Sequence, residues 1–391
     1  MARRVGLEVS LACAEAVKLA NADVVAAYPI TPQTHIVEHL AELVANGHLD
    51  AEFIPVESEH SAMSACIGSS AAGARTFTSS ASQGLALMHE ILYLASSMRM
   101  PIVMAVANRS LSGPISIWND HSDVMGERDT GWIQYFCENG QEVLDLTLAA
   151  FKIAEDPRVL LPIMVNMDGF ILTHVIEPIM MPDQAEVDGW LPTYAPQMQL
   201  DPAKPISMGM VGVPEVYTEA KRAQLQAIND SYPVILEHWA SFAKHFGRNY
   251  QPVESYRTED AEAVFVSMGS LSETIMTAVD EMRAAGQKVG VVRIRLWRPF
   301  PVEEFTKAVA KADTLVVIDR NITFGAPAGP VATEVRALLF SQGIQKYVAN
   351  FQAGLGGRDV TRDQFKDMLA KAQQAKAAGQ DMTCEMVGVR E

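Results

Sequence analysis

Three residues in the first half of the chain could do chemistry at the ends of predicted strands. Glu59 lies in the sequence VESEHSA, where a short apolar strand gives way to a helix of small residues. Arg109 directly follows the apolar run PIVMAVA, and Thr31 follows the predicted strand DVVAAY. In an open parallel sheet, ligands collect beyond the carboxyl ends of the strands. A carboxyl group there could act as an acid or base, and the planar guanidinium of an arginine could hold a carboxylate.

Each of these residues also has a purely structural interpretation. A carboxylate in the first turn of a helix complements the helix dipole, which alone would account for Glu59. Arg109 could be a surface charge, and Thr31 could be a helix cap. The segment ESEH at 57–60 lacks the i, i+4 placement of a helical zinc pair, so no metal site is predicted. At this level the functional and the structural interpretations both stay open.

Other polar or glycine-rich segments lie where a site could form. Gln83 opens a helix after a strand, where exposed backbone amides could face an anion, and a simple cap explains it equally well. The loop at 115–130, ISIWNDHSDVMGERDT, is long and polar, and such loops are often functional. His121 within it is expected to be a hydrogen-bonded loop residue. The glycine-rich segment 354–359 lacks the lysine of a phosphate-binding loop, so a tight turn at an interface is expected.

Strands alternating with helices predict an α/β fold with a doubly wound parallel sheet. Continuous apolar runs such as PIVMAVA are typical of strands that are covered on both faces. A first domain is expected over residues 1–250, with a connecting excursion at 177–204. A polar linker is expected at 251–260, and a second β/α domain over 261–391.

Individual elements follow from periodicity and apolar runs. Residues 83–98 are predicted to form one helix, and residues 214–246 a helix that is interrupted at Pro233. The sequence VGVVRIRLWRPF, residues 289–300, is predicted to form one long strand that ends in a turn.

Composition and charge narrow the class of protein. A net charge of −16 repels phosphate backbones, so nucleic acid is not an expected partner. The sequence contains no apolar run of about 18 residues, so no membrane span is predicted. Charged residues interrupt the apolar stretch near the amino terminus, which disfavours a signal peptide. The four cysteines form no CxxC pair, so we expect them to be free thiols and expect this chain to hold no iron–sulfur cluster. Free thiols are typical of the reducing cytoplasm, which is the expected location.

A series of motifs appears in order along the chain and identifies a family. They are Tyr28-Pro29-Ile30-Thr31-Pro32, Glu57-Ser58-Glu59-His60, Ser82-Gln83-Gly84-Leu85, Arg109, 117–123 (IWNDHSD) and 128–132 (RDTGW), followed by Asp319-Arg320, Gly325, Glu334 and GLGGRDV. Together they resemble the alpha subunit of the 2-oxoacid:ferredoxin oxidoreductase family, of the pyruvate:ferredoxin oxidoreductase type. The resemblance covers nearly the whole chain.

The resemblance implies a thiamine-diphosphate pyrimidine-binding domain followed by a domain like the C-terminal domain of transketolases. Glu59 would contact the aminopyrimidine nitrogen of thiamine diphosphate and act as an acid/base relay. Thr31 and Arg109 would act with it in catalysis by holding the carboxylate of the substrate. The other residues implied by the resemblance are Tyr28, Pro29 and Gln83 at the cofactor and Ile115 and Ile117 at the substrate.

The resemblance also implies partner chains. The sequence has no cysteine set for a cluster and no Gly-Asp-Gly motif followed by an Asn for diphosphate and magnesium. Mg²⁺ would therefore lie on a beta subunit that holds the diphosphate, and [4Fe-4S] clusters on delta-type and gamma-type subunits. A dimer of such heteromers is expected, with ferredoxin or another electron acceptor.

The expected activity is oxidative decarboxylation of a 2-oxoacid to acyl-coenzyme A and carbon dioxide, with coenzyme A as co-substrate. Pyruvate is the leading substrate because it is the most frequent one in the family. An aromatic 2-oxoacid such as phenylglyoxylate stays open, whereas oxalate is disfavoured because SLSGPISI, after Arg109, has no further cationic residue. A non-oxidative transketolase-like enzyme and a binding subunit with a decayed site also stay open.

Overall fold

Short apolar strands and amphipathic helices build two large sheets and one two-stranded sheet, and the computed structural model describes residues 3–390. The strands are β1 (Arg3–Glu8), β2 (Val24–Ala27), β3 (Glu52–Pro55), β4 (Thr76–Ser80), β5 (Ile102–Asn108), β6 (Ile133–Phe136), β7 (Ile163–Asp168), β8 (Ile176–Met181), β9 (Val253–Tyr256), β10 (Ala263–Ser267), β11 (Val289–Ile294), β12 (Leu296–Arg298), β13 (Thr314–Asp319), β14 (Tyr347–Gln352) and β15 (Glu385–Met386). The helices are α1 (Val9–Leu19), α2 (Thr34–Ala45), α3 (Glu59–Ala71), α4 (Ser82–Leu87), α5 (His89–Ser97), α6 (Ser122–Gly126), α7 (Gly140–Ala154), α8 (Gln184–Asp188), α9 (Pro214–Phe246), α10 (Leu271–Ala284), α11 (Val302–Ala308), α12 (Pro330–Ser341) and α13 (Arg362–Ala377), with a 3₁₀ turn at Leu355–Gly357.

The first sheet has seven strands in the order β12-β6-β7-β5-β4-β2-β3. All neighbours from β6 to β3 are parallel, and only β12 runs antiparallel, against β6. Every residue of the central strand β5 is buried, as its continuous apolar sequence predicts. The carboxyl ends of β2, β3, β4 and β5 therefore lie along one edge of the sheet, and the loops that follow them are neighbours.

The second sheet has six strands in the order β15-β14-β13-β10-β11-β9, with β9 antiparallel to β11. The chain crosses between the sheets at Arg295, since β11 ends at Ile294 in the second sheet and β12 begins at Leu296 in the first. The predicted strand at 289–300 is therefore two strands in two sheets. One apolar core continues across the boundary, from Met104 and Met164 to Val264 and Phe305.

Several elements differ from their sequence predictions because tertiary contacts decide them. The predicted helix at 83–98 is divided into α4 and α5 at Met88, and α9 runs through Pro233 without interruption. The carboxy-terminal half of α9 is held by buried side chains such as Trp239 and Phe242. The excursion at 177–204 begins in β8, which pairs with β1, and the linker at 251–260 contains β9. Within residues 3–390, no helix combines the length and apolarity that crossing a bilayer requires.

Candidate active site

The residues predicted to do chemistry follow the carboxyl ends of neighbouring parallel strands. Thr31 follows β2, Glu59 follows β3, Gln83 follows β4 and Arg109 follows β5. Since β3, β2, β4 and β5 are adjacent in that order, the sheet brings all four loops to one edge. This is the edge at which ligands bind in open α/β sheets.

Glu59 is the first residue of α3, and it is a buried carboxylate. Ser58 caps the helix by accepting a hydrogen bond from the backbone N–H of Ser61 at 3.2 Å, so Glu59 is not needed as the cap. The Glu59 side chain is only 6% exposed, and among residues 3–390 its carboxylate has no hydrogen-bond partner. It packs on Gly84 of α4, where a β-carbon would come within 2.5 Å of Oε1. Both oxygens keep some contact with solvent, so their hydrogen bonds are completed by water or by a ligand that displaces the water.

Arg109 joins the loop after β5 to the loop after β2. Its Nη1 donates to the carbonyl of Thr31 at 2.9 Å, and its Nε donates to the carbonyl of Ser116 at 2.8 Å. Arg109 is 6% exposed, so it is not a surface charge, and burial lowers the pKa of its guanidinium. Thr31 precedes a cis peptide bond to Pro32 and is exposed. The predicted pair of Thr31 and Arg109 is thus in direct contact.

Asp123 in α6 connects two of these loops. Its Oδ2 accepts from the backbone N–H of Ser82 at 3.0 Å and from that of Arg109 at 2.9 Å. Its Oδ1 accepts from the N–H of Val124 at 2.7 Å and from Nδ2 of Asn108 at 3.2 Å. Burial raises the pKa of Asp123 to about 7, although the backbone N–H donors oppose the shift. Asp123 lies in the motif IWNDHSD, but only the folded chain reveals that it holds both loops.

Gln83, Tyr28 and Pro29 lie at the rim of the same edge. Gln83 Nε2 donates to the hydroxyl of Ser112, and its Oε1 accepts from Ser82 Oγ at 2.6 Å. The carbonyl of half-buried Tyr28 accepts a hydrogen bond at 2.8 Å from the buried amide of Gln33, while Pro29 is exposed. These hydrogen bonds fix the loops after β2 and β4. Gln83 is half-buried and Pro29 is exposed, so a ligand could still reach both side chains.

Ile115 and Ile117 flank Ser116, whose carbonyl holds Arg109, so the structure brings both near the predicted carboxylate site. Their side chains are 75% and 41% exposed, and they do not close a pocket within the described chain. Trp118 beside them is 50% exposed. An adjacent cavity of about 560 Å³ is lined by Ser110–Gly113 and by residues 321–324 of the second domain.

Asp168 at the end of β7 joins this edge to loops of the second sheet. Its Oδ1 is 2.9 Å from Nε2 of His121, and its Oδ2 accepts from Arg320 Nη1 and from the Ser270 N–H, both at 2.9 Å. Burial alone would raise the pKa of Asp168, but Arg320 and His121 hold it well below its usual range. His121 is therefore the hydrogen-bonded loop residue that the sequence predicted.

The glycine-rich segment 354–359 is a tight turn that packs on the loop after β5. The Gly357 N–H donates to the carbonyl of Asn119, and the Gly356 N–H to Asp120 Oδ2 at 3.3 Å. Gly357 has a φ of +72°, and a β-carbon there would be 2.7 Å from Cβ of Trp118. The second domain thus supports the loop that carries Ile115 and Ile117.

Comparison with known proteins assigns the two parts of the chain to one family. Residues 15–238 match the thiamine diphosphate-binding domain of pyruvate flavodoxin/ferredoxin oxidoreductase, and residues 261–365 match core domain II of pyruvate:ferredoxin oxidoreductase. Pyruvate synthase subunit PorA of Pyrococcus furiosus is 52% identical over 94% of this chain and 93% of its own length. The Thermotoga maritima PorA is 46% identical over 94% of each chain. Ketoisovalerate oxidoreductase subunit VorA of Pyrococcus abyssi is 45% identical over 91% of this chain and 90% of its own.

The solved structures agree in fold. The 2-oxoglutarate:ferredoxin oxidoreductase from Magnetococcus marinus superposes with a TM-score of 0.71 and 18% identity, over 95% of this chain and 65% of that chain. A split-gene transketolase superposes with a TM-score of 0.53 and 11% identity, over 95% of this chain and 99% of that chain. Taken with the family models and the near-full-length identity to PorA, these likenesses establish that the chain belongs to the pyruvate flavodoxin/ferredoxin oxidoreductase family.

Proposed function

We propose that this chain is the subunit of a 2-oxoacid oxidoreductase that binds the aminopyrimidine of thiamine diphosphate at Glu59 and the carboxylate of the 2-oxoacid at Arg109. The reaction is the oxidative decarboxylation of pyruvate, with transfer of the acetyl group to coenzyme A. The names of the pyruvate synthase relatives support pyruvate as the substrate. The ketoisovalerate oxidoreductase relative makes a branched 2-oxoacid the second candidate substrate.

The observation that carries the proposal is the unpartnered carboxylate of Glu59. It lies at a helix amino terminus, 6% exposed and against Gly84, with no hydrogen-bond donor from the described chain. An aminopyrimidine ring offers a ring nitrogen that can share one proton with this carboxyl group, so the ring would supply the missing hydrogen bond. The residues present therefore fit the cofactor that the family binds.

When bound, thiamine diphosphate supplies the carbanion chemistry that cleavage next to a carbonyl group needs. Glu59 would hold or release one proton at its carboxylate, which is the work of a general acid or base. A bound ring would displace water from this carboxylate, so that bulk water does not compete for that proton. Tyr28, Pro29 and Gln83 would form the rim that surrounds the ring.

Arg109 has N–H donors that its contacts within the described chain do not use, and these could bind a substrate. A guanidinium has five N–H donors, and the contacts to Thr31 and Ser116 use one on Nη1 and one on Nε. The donors of Nη2 have no partner among residues 3–390 and could bind a carboxylate. Ile115 and Ile117 would then give an apolar surface beside the leaving carboxylate, where loss of charge is favoured.

The remaining parts belong to partner subunits in this proposal. A beta subunit would hold the diphosphate and Mg²⁺, and delta-type and gamma-type subunits would carry [4Fe-4S] clusters that pass electrons to ferredoxin or another acceptor. The exposed side chains of Ile115, Trp118 and Phe324, the last 90% exposed, support a protein surface that covers the site. The subunit names of the relatives also support a heteromer, which we place in the cytoplasm.

The experiment is a comparison of Glu59→Gln with Glu57→Gln in the complex assembled with the partner subunits. Glu57 is two residues away and exposed, so it controls for the loss of a carboxylate in this segment. We expect coenzyme A-dependent oxidation of pyruvate to fall about 10²–10⁴-fold in Glu59→Gln and to stay near wild type in Glu57→Gln. Equal activity in the two variants would contradict the proposal. Pyruvate, 2-oxoisovalerate and phenylglyoxylate, compared by kcat/KM, would decide the substrate.

A further inference from the structure

A second cluster of chemically able side chains lies outside the proposed catalytic site. Glu8 ends β1, His35 is in the first turn of α2, and His174 lies in the turn that follows β7. One donor atom from each of the three residues lies within 4.8 Å of those of the other two. The three residues come from distant parts of the sequence, so no spacing pattern announced them.

The geometry of the cluster is close to that of three ligands around one ion. Nδ1 of His35 is 2.6 Å from Oε1 of Glu8, and the rings of His35 and His174 have centroids 4.6 Å apart with an interplanar angle of 34°. Tetrahedral zinc, with bonds of about 2.0 Å, places its ligand atoms about 3.3 Å apart. Small side-chain rotations would bring the donors to that spacing. The cluster is half-buried, so water could supply a fourth ligand.

The hydrogen-bond partner of His174 suits a metal ligand. Its Nδ1 is 2.7 Å from Oγ1 of Thr173, and if Nδ1 carries the proton it donates to that hydroxyl, which leaves Nε2 free. An outer hydrogen bond of this kind orients most histidines that bind metals.

We propose that Glu8, His35 and His174 bind a divalent cation of the zinc type. Two of the three donors are imidazole nitrogens, which suit Zn²⁺ and disfavour Mg²⁺ and Ca²⁺, since those ions prefer oxygen ligands. The ion takes the place of the hydrogen bond between His35 and Glu8. It joins the end of β1, the start of α2 and the turn after β7, and α2 directly follows the loop that presents Thr31. The ion therefore stiffens one wall of the active-site edge without taking part in the proposed catalysis.

The test is a titration of the full chain with Co²⁺, whose visible absorption reports its coordination. All proteins carry Cys384→Ser, because Cys384 is the exposed thiol and could bind cobalt. We expect one equivalent of Co²⁺ per chain, displaced by Zn²⁺, and affinity at least tenfold lower in His35→Gln and His174→Gln. The matched control is His48→Gln, since His48 is exposed and lies outside the cluster.

A second readout is thermal unfolding, because an ion that binds the folded chain raises its Tm. Zn²⁺ should raise the Tm of the parent and of His48→Gln, and it should not raise that of His35→Gln or Glu8→Gln. Far-ultraviolet circular dichroism checks that each variant is folded. The proposal is overturned if the parent chain binds no stoichiometric Co²⁺, or if the cluster variants bind it as tightly as His48→Gln.

Discussion

The carboxylate of Glu59 lies against the backbone of Gly84, so that a β-carbon on Gly84 would be 2.5 Å from Oε1 and 2.6 Å from Cγ of Glu59. These residues follow different strands, β3 and β4, and the absence of a side chain on Gly84 is what lets the carboxylate reach its buried place. Gly84 has ordinary helical geometry, so its role is the close approach and not an unusual backbone angle.

The first prediction is that Gly84→Ala disables the site by displacing Glu59. The added methyl group cannot share space with the carboxylate, so Glu59 must rotate away, and turnover should fall about 10²-fold or more, as for loss of an acid/base group. Gly68→Ala is the matched control, because Gly68 is in α3 with Glu59 and nothing lies within 4 Å of its β-carbon position. Steady-state rates of the assembled complex test this prediction. Equal rates for Gly84→Ala and Gly68→Ala would contradict it.

The second prediction concerns the forked guanidinium of Arg109. Arg109→Lys keeps a charge but cannot hold Thr31, Ser116 and a carboxylate at once, so KM for the 2-oxoacid should rise more than tenfold. Arg99→Lys is the control, because Arg99 likewise donates to two carbonyls, from Nε to Leu160 at 2.9 Å and from Nη2 to Val159. A merely structural role would give both variants the same loss of stability and no change in KM.

The third prediction is an acidic limb in the pH profile that depends on Asp123. Its pKa of about 7 means that the carboxylate becomes protonated just below neutral pH, and a protonated oxygen no longer accepts from both Ser82 and Arg109. KM for the 2-oxoacid should therefore rise as pH falls through about 7. Asp123→Asn should have a high KM at every pH, with no further rise on acidification. Asp129 is exposed, so Asp129→Asn should show the same rise of KM as the wild type.

The same residue makes a prediction about stability with a definite sign. The pKa of Asp123 in the folded chain lies above its ordinary value of 3.8, so folding takes up a proton between those values. Its contribution to the free energy of unfolding is then present at low pH and is lost as pH rises from about 4 to 7. Denaturant midpoints measured across this range should fall less steeply with rising pH in Asp123→Asn than in the wild type. A steeper fall would refute the assignment.

The positions of the candidate residues could be predicted from the sequence because strand ends determine them. Apolar runs located β2 and β5, and ligands collect beyond the carboxyl ends of parallel strands, so Thr31 and Arg109 were both expected at that edge. Their contact at 2.9 Å agrees with that expectation. The family resemblance added the role of Glu59, which spacing alone could not separate from a helix-dipole residue.

The rest depended on contacts between distant segments, which leave no local signal. Asp168 and Arg320 are 152 residues apart, yet they form a buried ion pair. The division of 289–300 between two sheets was also invisible, because β11 and β12 are both apolar and only one residue, Arg295, separates them. The strands with which β11 and β12 pair, and not the strand propensity of their residues, determine where the first strand ends and the second begins.

The last prediction concerns the charges buried where the chain crosses between its sheets. The side chains of Arg293 and Arg295 are each 1% exposed, and Glu142 holds both, through two bonds of 2.8 Å to Arg293 and one of 2.6 Å to Arg295. Burial would raise the pKa of Glu142, but the two guanidiniums hold it at about 2. Glu138 is in the same cluster, and burial raises its pKa to about 7, against the opposing effect of Arg293.

These opposite shifts predict opposite outcomes for two matched variants. Glu142→Gln leaves the two buried arginines with Glu254 as their shared carboxylate partner and should lower the free energy of unfolding by about 3–5 kcal/mol. Glu138→Gln should have little effect at pH 7, since this carboxyl is already partly neutral. The stabilisation by Glu142 is present above its ordinary pKa of 4.5 and is lost as pH falls toward 2, so the gap between wild type and Glu142→Gln should narrow on acidification. Unfolding midpoints of the full chain at pH 7 and pH 3 measure both effects, and a larger loss in Glu138→Gln would show that Glu142 is not the residue that compensates the two arginines.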